Sequence, residues 1–289
     1  MNSMNSIQKL RAFSDKFSQP LKLPEDVTVN KYVLNGISAE WINPSGQSTN
    51  SVILYLHGGA FVLGWYNQHR VLAAHIGKVS RSRVLAVDYR LAPEYPFPAS
   101  LNDCLAAYFR LIEDGIEPNQ IIIAGDSAGA NLTLAVLLSL RDTGKTLPAA
   151  AVCISPMTDL AWTGRSFHSN KDALLTAKFA MSMSRQYIGN KDDHLPLISP
   201  HYADLTGLPP LLIQAGEDEI LFSDAERLAD NARHAGVDVI LSVYPDMWHV
   251  WHILVPFLPE AVRAVDEIGR FIQRHINSGI IRVDNRVKE

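Results

Sequence analysis

Cysteine is nearly missing from this chain of 289 residues, with only Cys104 and Cys153 present. Two isolated thiols build no disulfide framework, and a chain this size is expected to fold on its apolar core, reduced, in the cytoplasm. A strong excess of either charge is missing as well. The 26 basic and 30 acidic side chains leave a net charge of -4, and no Lys/Arg run stands out. That excludes the electrostatic footprint of a nucleic-acid or anionic-membrane partner. No run of 18 apolar residues occurs, which excludes a helical membrane span. Met1–Pro20 holds scattered charges and no apolar segment, so no secretory leader is expected. Repeats, low-complexity tracts and interdomain linkers are missing too, and a single domain over 1–289 follows.

What is present is alternation. Short runs rich in Val, Ile and Leu recur at 27–34, 37–42, 52–56, 84–87, 121–124, 150–154, 211–214 and 237–244. Segments of helical period separate the later ones, at 69–80, 100–114, 128–142, 222–235 and 260–276. The first two strands alternate with polar residues across Asn35-Gly36, the pattern of an antiparallel hairpin. The later strands are almost continuously apolar, as in a parallel sheet covered on both faces. The fold class is therefore α/β, with a mostly parallel eight-stranded sheet and helices on both faces. Such sheets hold ligands beyond the carboxyl ends of their strands.

Two stretches lie outside the alternation. Residues 1–25 carry an amphipathic helix around Ile7–Phe13, and residues 157–208 fill a connection where one crossover helix would suffice. Insertions of that size serve as caps over binding sites, and both are expected to form a small helical cap.

Gly125-Asp126-Ser127-Ala128-Gly129 directly follows the strand 121–124 and opens the helix at 128. G-x-S-x-G in that context is the nucleophile elbow of α/β-hydrolases. Turning from strand to helix within so few residues strains the serine backbone and requires small flanking residues, and it lifts Oγ above the sheet. His57-Gly58-Gly59-Ala60 follows the strand 52–56. Consecutive glycines bring backbone N–H groups close to a reacting carbonyl, so Gly58 and Gly59, with Ala128, are expected to form an oxyanion hole. His57 is read as a residue that holds this loop. No phosphate-loop pattern and no zinc-like Cys/His spacing occurs, so neither a metal nor an organic cofactor is expected.

The chain order Ser, acid, His of this fold directs attention past Ser127. His249 stands in a loop just after the strand 237–244, with His252 the weaker candidate. His194, His201 and His234 fall in the insertion or on a helix. After the strand 211–214 come Glu217, Asp218 and Glu219, and position alone does not choose among them. Asp224 and Glu226 belong to the next helix.

Together these segments resemble the hormone-sensitive-lipase-like family of α/β-hydrolases, the microbial carboxylesterases among them. The likeness runs from about His57 to the C-terminal helix. It is carried by His57–Ala60, by Asp88-Tyr89-Arg90-Leu91-Ala92-Pro93-Glu94, by Gly125–Asn131 and by Ile154-Ser155-Pro156. The resemblance implies a cofactor-free esterase acting on short- to medium-chain esters under a cap. It also implies an acid in the pattern Asp-x-Leu about 30 residues before the base. Glu219-Ile220-Leu221 fits that spacing with 249 − 219 = 30, and Asp218 is the second choice. Two departures stand out: Ala60 replaces the third glycine of the family's H-G-G-G, and the acid is Glu. A homodimer through the edge strand near Val237–Tyr244 is implied as well. An amidase or deacetylase would use the same residues, and a non-catalytic small-molecule receptor on this fold would lack the base. Trp248, Trp251 and the aromatic residues of the two insertions (Phe13, Phe17, Trp162, Phe167, Phe179, Tyr187, Tyr202) fit an apolar ester pocket and ordinary packing equally well.

Overall fold

The computed structural model describes residues 3–46, 50–168 and 171–277. Eight strands form one sheet: β1 (Val27–Leu34), β2 (Ile37–Pro44), β3 (Val52–Leu56), β4 (Arg83–Asp88), β5 (Ile121–Asp126), β6 (Ala150–Ile154), β7 (Leu211–Gly216) and β8 (Val239–Tyr244). Their spatial order is β1-β2-β4-β3-β5-β6-β7-β8. β1 pairs antiparallel with β2, and β2 with β4. Every other pairing is parallel. The expected α/β class and mostly parallel eight-stranded sheet are thus observed. The hairpin turn is the expected one, because Asn35 and Gly36 both take positive φ (48° and 85°), the two-residue turn that matches strand twist.

The long helices are α1 (Ser3–Ser18), α2 (Asn67–Ser80), α3 (Ala99–Glu113), α4 (Ala128–Asp142), α5 (Ala177–Ile188), α6 (Phe222–His234) and α7 (Pro259–Asn277). Successive strand residues face opposite sides, so each central strand feeds two cores. Val52, Leu54 and Leu56 of β3 face the core shared with α3, α4 and α6, while Ile53 and Tyr55 face the core shared with α2 and α7. Burial on both faces explains why β3, β5, β6 and β7 read as nearly unbroken apolar runs. No described helix is long and apolar enough to cross a membrane.

β8 starts two residues later than the apolar pattern indicates. Gly236 takes a left-handed φ of 75° after α6, and the Val237 N–H closes that helix on Ala232 O. Val237 therefore serves the helix terminus rather than the strand.

The central contact is the approach of α4 to β3 and β5. A Cβ on Gly129 would run into the backbone of Leu56, and one on Gly125 into that of Gly129. Neither obstacle is a flexible side-chain end. Gly64, by contrast, has only side-chain atoms in its surroundings, the nearest at 3.6 Å. Gly129→Ala is therefore expected to lose on the order of 3 kcal/mol or more in urea unfolding, and Gly64→Ala less than about 1 kcal/mol. Equal losses would show that the α4 approach is not the tight point.

Candidate active site

Four loops meet beyond the carboxyl ends of β3, β5, β7 and β8. The β5–α4 turn places Ser127 at φ 55°, ψ −117°, a strained conformation that the tight turn imposes. Ser127 N–H is tied to Ile154 O at 2.8 Å, and its oxygen lies 2.9 Å from His249 Nε2. His249 Nδ1 stands 3.1 Å from Glu219 Oε2. A carboxylate only accepts, so Nδ1 carries the proton, and Nε2 of the neutral ring accepts from the serine hydroxyl. Glu219 is fully buried, and Ser127 and His249 nearly so. Burial pushes the Glu219 carboxyl above its ordinary value, opposed by the bond and charge of His249 and by the Ser155 hydroxyl.

The loops that carry Glu219 and His249 pair with each other. Glu217 N–H donates to Tyr244 O and Asp218 N–H to Met247 O, both at 3.0 Å. Gly216 is packed so closely that a Cβ would strike Met247 O. Asp218 turns outward from this seam to Lys171, 3.2 Å away, while Glu217 is exposed. His252 is not part of the cluster. It is buried, with Nε2 2.9 Å from Gln214 Oε1, and burial lowers its pKa to about 3. Trp251 is fully buried on the α7 side and does not line the cluster, while Phe13 and Phe17 are exposed on α1.

The loop after β3 departs from expectation. Gly58 N–H donates to Asp126 Oδ1 at 3.0 Å, and the same oxygen accepts from Tyr55 OH at 2.7 Å. Gly58 is thereby occupied and is not an open donor. The next residues are open: among the described residues the N–H groups of Gly59, Ala60 and Ala128 have no acceptor. Gly59 and Ala60 both take positive φ, 117° and 52°. Asp126, the second residue of the elbow, was thus an overlooked anchor, and a carboxylate ending an otherwise apolar strand was the available signal. His57 holds the loop as expected. Its Nδ1–H donates to Gly58 O at 2.7 Å, and its ring stacks on Tyr89 at 4.2 Å. Tyr89 OH in turn donates to His57 O at 2.6 Å.

Three histidines around the cluster are buried and neutral: His57, His69 and His252 each have a pKa lowered to about 3, chiefly by burial. Unfolding restores the ordinary value of 6.5, so below that pH the unfolded chain binds protons that the folded one refuses. Each such group makes stability fall as pH drops from 6.5 toward 3, by about 1.4 kcal/mol per pH unit. Asp224, raised to about 6 by burial, works in the opposite sense below that value. Replacing one of the three, as in His252→Gln, should reduce the stability lost between pH 6.5 and 5.5 by roughly 1 kcal/mol. Urea titrations at both pH values check this, and an unchanged pH dependence would refute it.

Residues 53–253 match a family model described as the alpha/beta hydrolase fold. An acetyl-hydrolase of Streptomyces hygroscopicus is 45% identical over 84% of this chain and 82% of its own length. An esterase of Acinetobacter venetianus is 36% identical over 91% of this chain and 87% of its own. Among solved structures, an esterase from the bacterial hormone-sensitive lipase family superimposes with a TM-score of 0.91. It is 44% identical and is matched over 93% of this chain and 92% of its own. The chain belongs to the α/β-hydrolase fold, in its bacterial hormone-sensitive-lipase-like family.

Proposed function

We propose that this protein is a serine carboxylesterase that hydrolyses short- to medium-chain carboxylic esters. One observation carries the reading: the hydrogen-bonded series Ser127–His249–Glu219 stands at the same strand ends as the three open N–H groups of Gly59, Ala60 and Ala128. In the first half-reaction Ser127 Oγ attacks the ester carbonyl carbon as His249 Nε2 takes its proton. Negative charge collects on the carbonyl oxygen, where Gly59, Ala60 and Ala128 donate to it. Glu219 holds the tautomer and stabilises the imidazolium. His249 then protonates the departing alkoxide, leaving an acyl-serine. Water, deprotonated by His249, attacks that acyl group, and the carboxylic acid and free serine are released. Ala60 takes the donor position first assigned to Gly58.

Residues 1–25 and 157–208 are assigned to a cap within this single domain. Support comes from their anchors. Arg11 of α1 donates to Val62 O and Ala92 O, each at 2.8 Å, and pairs with both oxygens of Glu94. Asn131 of α4 donates to Met157 O and Ile198 O, near the two ends of the longer insertion. Acyl preference for short chains accords with the acetyl-hydrolase relative. The cytoplasmic address rests on the free, buried Cys104 and Cys153.

Purified protein is expected to turn over p-nitrophenyl esters with a maximum at short acyl chains. Ser127→Ala should remove activity by at least ~10⁴-fold, and Glu219→Ala should cost roughly 10³- to 10⁴-fold in kcat. Asp218→Ala should stay within about threefold of wild type, its carboxylate being a partly exposed surface partner. A folded wild type inert on every ester would refute the esterase reading, and a larger loss from Asp218→Ala than from Glu219→Ala would refute the acid.

A homodimer through β8 completes the proposal. β8 is a sheet edge with Val243 exposed, and an uncovered edge is a pairing template. Light scattering after size exclusion is expected to return twice the chain mass of 32.0 kDa, and a monomer at micromolar concentration would remove this assignment.

A further inference from the structure

One carboxylate outside the catalytic series touches both of the loops that carry it. Asp172 belongs to the 157–208 insertion. Its Oδ2 accepts from Ile220 N–H at 3.1 Å, the residue after Glu219. Its Oδ1 accepts from His249 N–H at 3.4 Å, and from Leu174 N–H at 2.9 Å and Leu175 N–H at 3.0 Å. We propose that Asp172 is a positioning residue that fixes the acid loop and the base loop relative to each other, and so makes the insertion part of the catalytic alignment. The proposal rests on the esterase reading above.

The chemistry of the group fits the task. An ionised carboxylate is acceptor-only and offers about four lone-pair directions, and here four N–H groups converge on it. Bonds from backbone N–H to a charged oxygen are stronger than neutral ones. An amide at this place would turn an NH₂ toward one of the two donor sets. The bonds within its own turn, to Leu174 and Leu175, fix the carboxylate plane before it reaches either catalytic loop. A second strut lies beside it, where Ser166 Oγ donates to Ile220 O at 2.6 Å. Ile220 is thus held by the insertion at both its N–H and its carbonyl. The bond to His249 is the longest of the four, so the insertion grips the acid side more tightly than the base side. Burial first, and the Asp172 charge besides, push the Glu219 carboxyl up, which accords with the two carboxylates being neighbours.

A misplaced base harms most the step that needs its proton. Departure of an alkoxide requires protonation by His249, whereas p-nitrophenolate leaves without it. kcat/KM should therefore fall by roughly 10²-fold on ethyl butyrate but by about 10-fold or less on p-nitrophenyl butyrate in Asp172→Asn and Asp172→Ala, with the loss in kcat rather than KM. Equal losses on the two esters, a loss confined to KM, or no loss would overturn the proposal and leave Asp172 a purely structural residue. Should Asp172→Ala fail to fold, the isosteric Asp172→Asn carries the comparison, with thermal unfolding as the check. A second readout needs no turnover. The low-field proton resonance of His249 Nδ1–H, bound to Glu219 in the wild type, should move upfield or broaden away in Asp172→Asn. An unchanged resonance would overturn the proposal. A wild type that shows the resonance but hydrolyses no ester would instead sink the esterase reading, with Asp172 still decided by the spectrum.

Discussion

Leu56 O at the end of β3 lies against Gly129 in the first turn of α4, and no Cβ fits between them. Much of the site follows from that contact. With α4 drawn so close to the sheet, the chain leaving β5 must reverse into the helix at Ser127, which is why a serine sits at φ 55°. The same closeness sets the first N–H of α4, that of Ala128, beside the loop that leaves β3. Strain of this kind costs on the order of 1–3 kcal/mol and persists only where the surroundings over-determine it. Here they do: Ser127 N–H is bonded to Ile154 O, and the helix that follows is almost wholly buried.

Desolvation is the second constraint, and it divides the polar groups by how well they are matched. Asp126 is buried, and its carboxyl is pushed up by burial despite the bonds from Tyr55 and Gly58. It is retained because it fastens the β3 loop to the elbow across 68 residues of sequence. His57, His69 and His252 resolve the same conflict by remaining neutral. His249 has a different environment, with a buried carboxylate at Nδ1 and a hydroxyl at Nε2. A carboxylate in hydrogen-bond contact with its ring sets it apart chemically from His252 three residues later, whose Nε2 meets the Gln214 amide oxygen.

How much of this was legible in the residues follows from the range of each interaction. The strands and helices were legible because burial on one or two faces writes a period of two or of 3.6 into contiguous residues. Ser127 was legible because the elbow is a local device, five residues long, flanked by the strand and helix it joins. The fate of Gly58 was not, since its N–H is claimed by a carboxylate on another strand, and nothing in His57-Gly58-Gly59-Ala60 announces that partner. β8 was overextended for a related reason: Val237 is apolar and contiguous with the strand, but it is spent on closing α6. Asp172 left no signal at all. Its four donors are backbone N–H groups, which carry no residue identity, from segments as much as 77 residues away.

For the acid of the proposed triad, Glu rather than Asp has a geometric account in the same loop. Glu219 stands three residues beyond Gly216, where the chain turns out of β7. One of its oxygens accepts from Gly216 N–H at 3.2 Å while the other faces His249 Nδ1 at 3.1 Å. A single carboxylate therefore closes its own turn and orients the base. Doing both requires the carboxylate to reach back across the turn and forward to the neighbouring loop. The additional methylene of Glu supplies that reach, and an aspartate on the same backbone would surrender one of the two bonds. The turn bond matters because it leaves Glu219 few alternative rotamers in a buried site, so in the proposed reaction little ordering remains to be done when the imidazolium forms. Glu219 is in this sense preorganised by its own loop, and the neighbouring insertion only has to hold that loop against His249.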